Sequence, residues 1–191
     1  MIELFYASTP NGRKISIMLE EIKFDYKITE INLSKGDQFN SNFRKISPLS
    51  KIPAITDHKN KVSLFQSGAI LIYLAELSGK FYEDSDRVLI NQWLMAQMGD
   101  IGPMLGQHHQ FHHYNPGKSK FGEERYFKIA ERIYAELDQR LSNSKFLSGF
   151  HEGALAARAC FKLARPNEKY RFEFTTTSKS MQERLGIKKS D

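Results

Sequence analysis

Ser47-Pro48-Leu49-Ser50-Lys51-Ile52-Pro53-Ala54-Ile55, followed by Leu64-Phe65-Gln66-Ser67-Gly68-Ala69-Ile70, decides how this chain folds and what it is built to hold. The first stretch sets a proline inside an apolar run that otherwise reads as a sheet strand. Proline has no N–H for a ladder bond, so it belongs at the strand's first residue or on an edge. An Ile-Pro bond there can be cis at modest cost, which leaves the N–H and C=O of the preceding residue unpaired. Those two groups can pair, strand-fashion, with the backbone of a bound peptide. The second stretch ends a strand and opens a helix at Ser67, a residue type that caps helix starts well. A helix start offers N–H groups and a positive dipole end, which suits a carboxylate. Together the two stretches describe a docking site for a small peptide with a free amino-acid end.

Working outward, the N-terminal third alternates strands and helices. Ile2, Leu4 and Tyr6 alternate with Glu3, Phe5 and Ala7 as a first strand. Ile15, Met18, Leu19 and Ile22 recur at helical spacing, which predicts a helix from about Gly12 to Ile22. Tyr26 to Leu33 reads as a second strand, and Ile52–Thr56 with Val62–Phe65 as two more, joined by the turn-like Asp57-His58-Lys59-Asn60. A helix from Ser67 to Leu77 ends at Gly79. From Asp86 the strand signal stops. Val88, Ile90, Trp93 and Leu94 start a long helix with a bend near Gly102-Pro103. Phe121 to Leu141 forms a second amphipathic helix. The short segment Gly79 to Arg87 is the boundary between the two regions.

These stretches resemble the glutathione transferases. Thr9-Pro10-Asn11-Gly12, Gly36-Asp37-Gln38-Phe39, Lys51-Ile52-Pro53-Ala54-Ile55 and Gly102-Pro103-Met104-Leu105-Gly106-Gln107 are similar to the nu class of bacteria and fungi, which includes glutathione-dependent disulfide-bond reductases. The resemblance implies an α+β/α fold: a thioredoxin-like domain over residues 1–80, then an all-helical domain over 86–149. It implies glutathione as the bound peptide and substrate, no metal, and a two-fold homodimer. The reacting partner would be a small disulfide or an electrophile. Gln66 and Ser67 would hold the γ-glutamyl end, and Lys51, Ile52 and Pro53 the peptide backbone. Gln38 and Arg125 match family positions that contact glutathione. The subgroup more often carries glutamate where this chain has Gln66. A neutral amide gives up a charge-assisted bond of about 1.5–3 kcal/mol for one of about 1 kcal/mol, which implies weaker binding.

Thr9 and Asn11 are the expected catalytic pair. They stand where the first strand meets the first helix, so a thiolate placed there meets hydroxyl, amide and backbone donors. Such surroundings lower a thiol from about 8.5 to near 7 or below, the activation needed for attack on a disulfide. Taken alone, Thr9-Pro10-Asn11-Gly12 reads better as a turn with a cap; the Ile52-Pro53 and Gln66-Ser67 motifs that follow favour a site. Tyr6 falls in register with Ile2 and Leu4 and reads as core, with Ser8 as a secondary candidate. Gly106-Gln107-His108-His109-Gln110-Phe111-His112-His113 pairs histidines at i, i+4, a spacing zinc ligands use. No carboxylate or cysteine nearby in sequence completes a set. Cys160 has no CxxC partner and reads as a buried structural cysteine or an unremarkable free thiol.

Composition narrows the alternatives. No apolar run reaches the roughly 18 residues of a membrane helix. Met1-Ile2-Glu3 leads straight into a strand pattern with no signal core, and a single cysteine favours a reducing cytoplasm. The net charge is +6, of which the stretch from Phe150 carries +4, with nine Lys/Arg against five Asp/Glu. The remaining +2 over 149 residues is no nucleic-acid face. The resemblance ends near Gly149. Where the family has a Ser/Thr-x-x-Asp cap, this chain reads Phe150-His151-Glu152-Gly153, then an alanine-rich stretch that admits a helix over 152–164 and a basic tail to Asp191. Two functional readings stand beside the reductase: ordinary conjugation or peroxidase chemistry, and a non-catalytic glutathione-binding or regulatory protein.

Overall fold

The structure, a computed structural model, describes residues 1–144 and residue 147. The expected helix over 152–164, the basic tail and Cys160 lie outside the described residues. Those described fall into two compact units, one within Met1–Lys80 and one from Phe81 onward.

In the first unit, β1 (Ile2–Tyr6), β2 (Tyr26–Glu30), β3 (Ala54–Asp57) and β4 (Val62–Phe65) form one sheet in the order β2-β1-β3-β4. β1 runs parallel to β2 and antiparallel to β3, and β3 is antiparallel to β4. α1 (Pro10–Ile22), α2 (Ser41–Ile46) and α3 (Ser67–Ser78) complete a thioredoxin-like unit. Strand alternation splits the side chains of β1 between two faces. Ile2, Leu4 and Tyr6 are buried on one face, and Ile15, Met18 and Leu19 of α1 and Ile70, Leu71 and Leu74 of α3 are buried too. On the other face Phe5 meets Phe43 of α2, ring centroids 5.8 Å apart, beside Ile31, Ile52 and Phe65.

Element ends follow local chemistry. α1 starts at Pro10, two residues before the expected Gly12, because proline suits the first helical position and Thr9 caps it. β2 stops at Glu30 rather than Leu33. Asn32 accepts from the Lys35 amide and turns the chain into two 3₁₀ turns, Leu33–Lys35 and Asp37–Phe39. β3 starts at Ala54 rather than Ile52, just past the proline. α3 is capped by Gln66, so Ser67 is its first helical residue rather than its cap. Gly79 closes α3 at φ 65°, a left-handed position where a side chain is strained.

The second unit is helical throughout its described residues. α4 (Arg87–Ala96) runs through a π-helical turn (Gln97–Ile101) into α5 (Gly102–His109), and a second π turn (Gln110–Tyr114) follows. The bend expected at Gly102-Pro103 takes this form. Proline cannot donate an intrahelical bond and its ring crowds the preceding turn, so the helix widens there. Gly102 is needed: a Cβ would lie 2.8 Å from the Gln97 side-chain nitrogen and 2.9 Å from its carbonyl oxygen. α6 (Lys120–Ser142) starts under a Ser119 cap. Its Leu137 packs with Ile101 and Leu147, and with Trp93, Leu105 and Ile133.

Candidate functional site

Strand register places the motifs. Phe5 pairs with Ala54 and Ala54 with Phe65, so these three residues form one row across the sheet. Tyr6–Thr9, Ile52–Pro53 and Gln66–Ser67 are the segments next beyond that row. Tyr6 also pairs with Glu30, and Ile31 N–H bonds the Tyr6 carbonyl at 2.7 Å, which brings the β2 exit carrying Gln38 to the same end. Neighbouring strands lie about 4.8 Å apart, so four strand ends deliver these segments along one short edge.

At the first segment, the Thr9 hydroxyl accepts the Gly12 amide at 3.2 Å, and the Thr9 carbonyl takes the Arg13 amide at 3.0 Å. Pro10 has no N–H. Of the donors that open α1, the Asn11 N–H is the one without a protein partner among the described residues, and the exposed Asn11 carboxamide also has none. The Thr9 hydroxyl hydrogen stays available, because its oxygen acts as acceptor in the cap. Gly12 lets this turn sit tightly: a Cβ would clash with the Ala7 carbonyl oxygen and lie 3.1 Å from the Tyr6 ring. Tyr6 itself is buried as core. Ser8 accepts from Arg13 at 3.0 Å, which commits the secondary candidate to a neighbour.

At the second segment the Ile52-Pro53 bond is cis. Among the described residues, the Ile52 amide and carbonyl make no hydrogen bond. The loop is fixed from beneath by Ser47, which is fully buried and was given no role on sequence grounds. Its hydroxyl donates to the Lys51 carbonyl at 2.7 Å and accepts the Lys51 amide at 3.3 Å. The Lys51 side chain is exposed.

At the third segment Gln66 sits at φ 72°, ψ 113°, outside the regions that a side chain ordinarily tolerates. Strain of this kind persists where the surroundings over-determine it, and it concentrates at ligand-holding positions. Gln66 gives α3 no side-chain cap, so the helix opens onto this end without one, while Ser67 is buried. Gln38 is half-buried, its Nε2 donating to the Leu33 carbonyl at 3.4 Å while its Oε1 is buried with no partner among the described residues.

Arg125 belongs to the helical unit, exposed on α6 and without an ion pair among the described residues. The histidine run spans the end of α5 and the second π turn. His108 and His112 have ring centroids 4.5 Å apart, and His109 and His113 4.6 Å. His112 Nε2 is 3.0 Å from the Glu123 carbonyl oxygen. Burial, then the neighbouring His112 and His109, push the His108 imidazole below its ordinary value. Among the described residues no group of three or more His, Cys, Asp or Glu is placed to hold a metal ion.

A sheet of this order, with cis-Pro53 and an open α3 start at one end, defines a thioredoxin-like glutathione transferase domain. Residues 2–76 match the model of the glutathione S-transferase N-terminal domain. The chain is 46% identical over 168 residues to the disulfide-bond oxidoreductase YfcG of Escherichia coli, covering 84% of this chain and 78% of that one. A crystal structure of a glutathione transferase from Pseudomonas putida, with one glutathione disulfide bound per subunit, superposes with a TM-score of 0.78 at 32% identity, over 97% of this chain and 84% of that one. The transcriptional regulator URE2 of Saccharomyces cerevisiae is 29% identical over 152 residues, 73% of this chain and 42% of that protein. The chain belongs to the glutathione transferase superfamily, with nu-like character.

Proposed function

We propose that this protein is a glutathione-dependent disulfide-bond reductase. One observation carries the reading: polar groups of three separate segments converge at one end of the sheet. The Asn11 N–H, the Ile52 amide and carbonyl, and the uncapped start of α3 form a thiolate donor, a peptide clamp and a carboxylate seat. Glutathione presents those three groups in a matching order. Its γ-glutamyl end sits on Gln66 and Ser67, and its cysteinyl backbone pairs with Ile52 ahead of Pro53. Gln38 and Lys51 flank it. Arg125 joins this set by resemblance alone.

The thiolate, held by Thr9 and Asn11, attacks one sulfur of a small disulfide. One S–S bond breaks, a mixed disulfide with glutathione forms, and the leaving thiolate takes a proton. A second glutathione thiolate then attacks the glutathione sulfur of that mixed disulfide. It yields glutathione disulfide and the second free thiol. Two electrons pass from two glutathiones to the substrate, and their two thiol protons end on the products. The protein supplies no sulfur of its own, so Cys160 is outside the mechanism.

We further read the protein as a cytoplasmic homodimer whose glutathione domain is residues 1–80 and whose helical domain is 86–149. A second functional reading has a specific observation behind it: a relative bearing the name transcriptional regulator aligns with 73% of this chain at 29% identity. One experiment separates the two. Purified protein is melted with and without glutathione, then assayed for reduction of a small model disulfide with glutathione as donor. A ligand at a hundred times its dissociation constant adds about 2.7 kcal/mol to folding, so the melt moves up on either reading. Glutathione disulfide formed one-for-one with disulfide consumed supports the reductase. A shifted melt without turnover supports the regulator, and consumption of an electrophile instead supports conjugation.

A further inference from the structure

At the end of the sheet opposite the candidate site, Asp57 closes β3 as a buried carboxylate with its hydrogen bonds divided between two elements. Oδ1 accepts the Lys59 amide at 2.9 Å and the Asn60 amide at 3.2 Å, which fixes the β3–β4 turn. Oδ2 accepts the Asn60 side-chain amide at 2.8 Å and the Tyr73 hydroxyl at 2.8 Å. Tyr73 lies on α3, six residues beyond Ser67. Ile70, Leu71, Leu74 and Ala75 of α3 are all buried and apolar. Apolar packing is non-directional and leaves a helix some freedom to slide and roll. A hydrogen bond to a carboxylate has a direction and is about twice as strong as a neutral one. It therefore sets where α3 stops along its axis. Its N-terminus, about 9 Å away at 1.5 Å per residue, moves rigidly with it.

We infer that the Tyr73–Asp57 hydrogen bond positions the α3 N-terminus for glutathione, making Tyr73 and Asp57 positioning residues for binding that touch no ligand. The inference rests on the reading that Gln66 and Ser67 hold the γ-glutamyl end. Because Thr9 and Asn11 are carried by β1 and α1, affinity and thiolate activation come apart. Loosening α3 weakens binding and leaves the chemistry of the bound thiol alone.

The test titrates glutathione calorimetrically into wild type, Tyr73→Phe, Asp57→Asn, the double variant and Asn60→Ala, each checked for native near-ultraviolet dichroism, and follows reductase kinetics. Tyr73→Phe should raise Kd and KM for glutathione about three- to tenfold, within the span of couplings carried by a shared rigid element. kcat at saturating glutathione and the pKa of the bound thiol should stay at wild-type values. Asp57→Asn should show the same rise, and the double variant should be no weaker than the weaker single one, as expected for two ends of one bond. Asn60→Ala removes a donor to the same carboxylate at 2.8 Å and to the Tyr73 hydroxyl at 3.3 Å, but leaves the Tyr73–Asp57 bond itself in place. It should lower Tm and leave Kd within about twofold, since a lost turn contact is a stability effect. Unchanged Kd in Tyr73→Phe with wild type binding normally overturns the inference, as does an Asn60→Ala loss equal to that of Tyr73→Phe. A wild type that binds no glutathione brings down the functional reading itself, and the first titration reveals that before any variant is compared.

Discussion

The two ends of the four-stranded sheet are opposites in how they treat polar groups. At the Ile2–Asp57–Val62 end, charge is saturated. Asp57 holds four donors, and Glu3 receives the Thr29 hydroxyl at 2.6 Å, Lys27 at 3.1 Å and His58 at 2.8 Å. At the Phe5–Ala54–Phe65 end the Asn11 amide, the Ile52 backbone, Gln38 Oε1 and the Gln66 side chain have no partner among the described residues. Both ends belong to the same sheet and are built from the same strands. One end commits its hydrogen-bonding capacity to the fold, and the other leaves several groups without a protein partner among the described residues, where the proposed reading places the ligand. A half-satisfied polar cluster is costly to a protein that gains nothing from it. The contrast is therefore a better pointer to the working end than the presence of any single polar residue.

The largest effect should come from breaking the saturated end. Burial alone would raise the Asp57 carboxyl, but the bonds from Tyr73, Asn60 and Lys59 outweigh it and hold the group below its ordinary 3.8. Glu3 is held below 4.5 in the same way, burial being outweighed by Thr29, His58 and Lys27. Both groups have folded values below their unfolded ones. Their contribution is therefore fully present above the ordinary carboxylate range and is lost as pH falls through the folded values. Tm should be level down to the ordinary carboxylate range and drop below it. Asp57→Ala should cost about 3 kcal/mol at neutral pH, because several donors lose their acceptor at once. It should also flatten the acid branch of the Tm profile. An Asp57→Ala melt within a degree of wild type at pH 7 would show that the knot contributes nothing.

The second effect sharpens the contrast from the working end. Gly12→Ala places a methyl group against the Ala7 carbonyl, so the Thr9–Gly12 turn must open. Overpacking of this kind costs roughly 1–3 kcal/mol. Reductase turnover should fall along with Tm, since the same turn carries the thiolate donors. Chemical denaturation and kinetics on one preparation would check both. Turnover kept at a lowered Tm would separate the turn from the chemistry.

The smallest effect is the most specific. Removing one preorganised donor to a developing anion costs roughly 2.7–4 kcal/mol in well-studied enzymes, and a thiolate already formed in the ground state feels less. Asn11→Ala should therefore lower kcat by about tenfold, equivalent to about 1.4 kcal/mol, and raise the pKa of bound glutathione. Thr9→Ala should act similarly and also lose a helix cap worth about 1 kcal/mol of stability. Tyr6→Phe, within the core, should leave kcat near wild type. Spectroscopic titration of the bound thiol alongside steady-state rates distinguishes these variants. A Tyr6→Phe loss exceeding that of Asn11→Ala would assign the chemistry to the wrong residues.

Much of this arrangement was legible in the sequence, because its signals are local. Pro53 announces a strand start, Thr9-Pro10 a helix start and Gly79 a helix stop, each through backbone chemistry that needs no distant partner. The core placement of Tyr6, which is buried, also followed from strand register alone. Other features were hidden for physical reasons. α2 escaped notice because six residues with only Phe43 and Ile46 facing inward are too short to show a helical period. Ser67 was read as a cap by residue type, yet backbone geometry gives that place to Gln66, a poor capping residue. Two π turns at Gln97–Ile101 and Gln110–Tyr114 leave no trace in an apolar pattern. The Asp57–Tyr73 bond joins residues 16 apart, and only the closed hairpin brings them together.

The backbone of Gln66 carries one last implication. At φ 72° and ψ 113°, the residue that would suit folding best is glycine, which adopts positive φ at no steric cost. On the proposed reading, glutamine keeps a strained main chain here and retains a carboxamide for the ligand. Stability and ligand capture would then pull this position toward different amino acids. A programme that optimised the protein for heat resistance alone would be drawn to replace Gln66 first, and on that reading would trade away recognition for it.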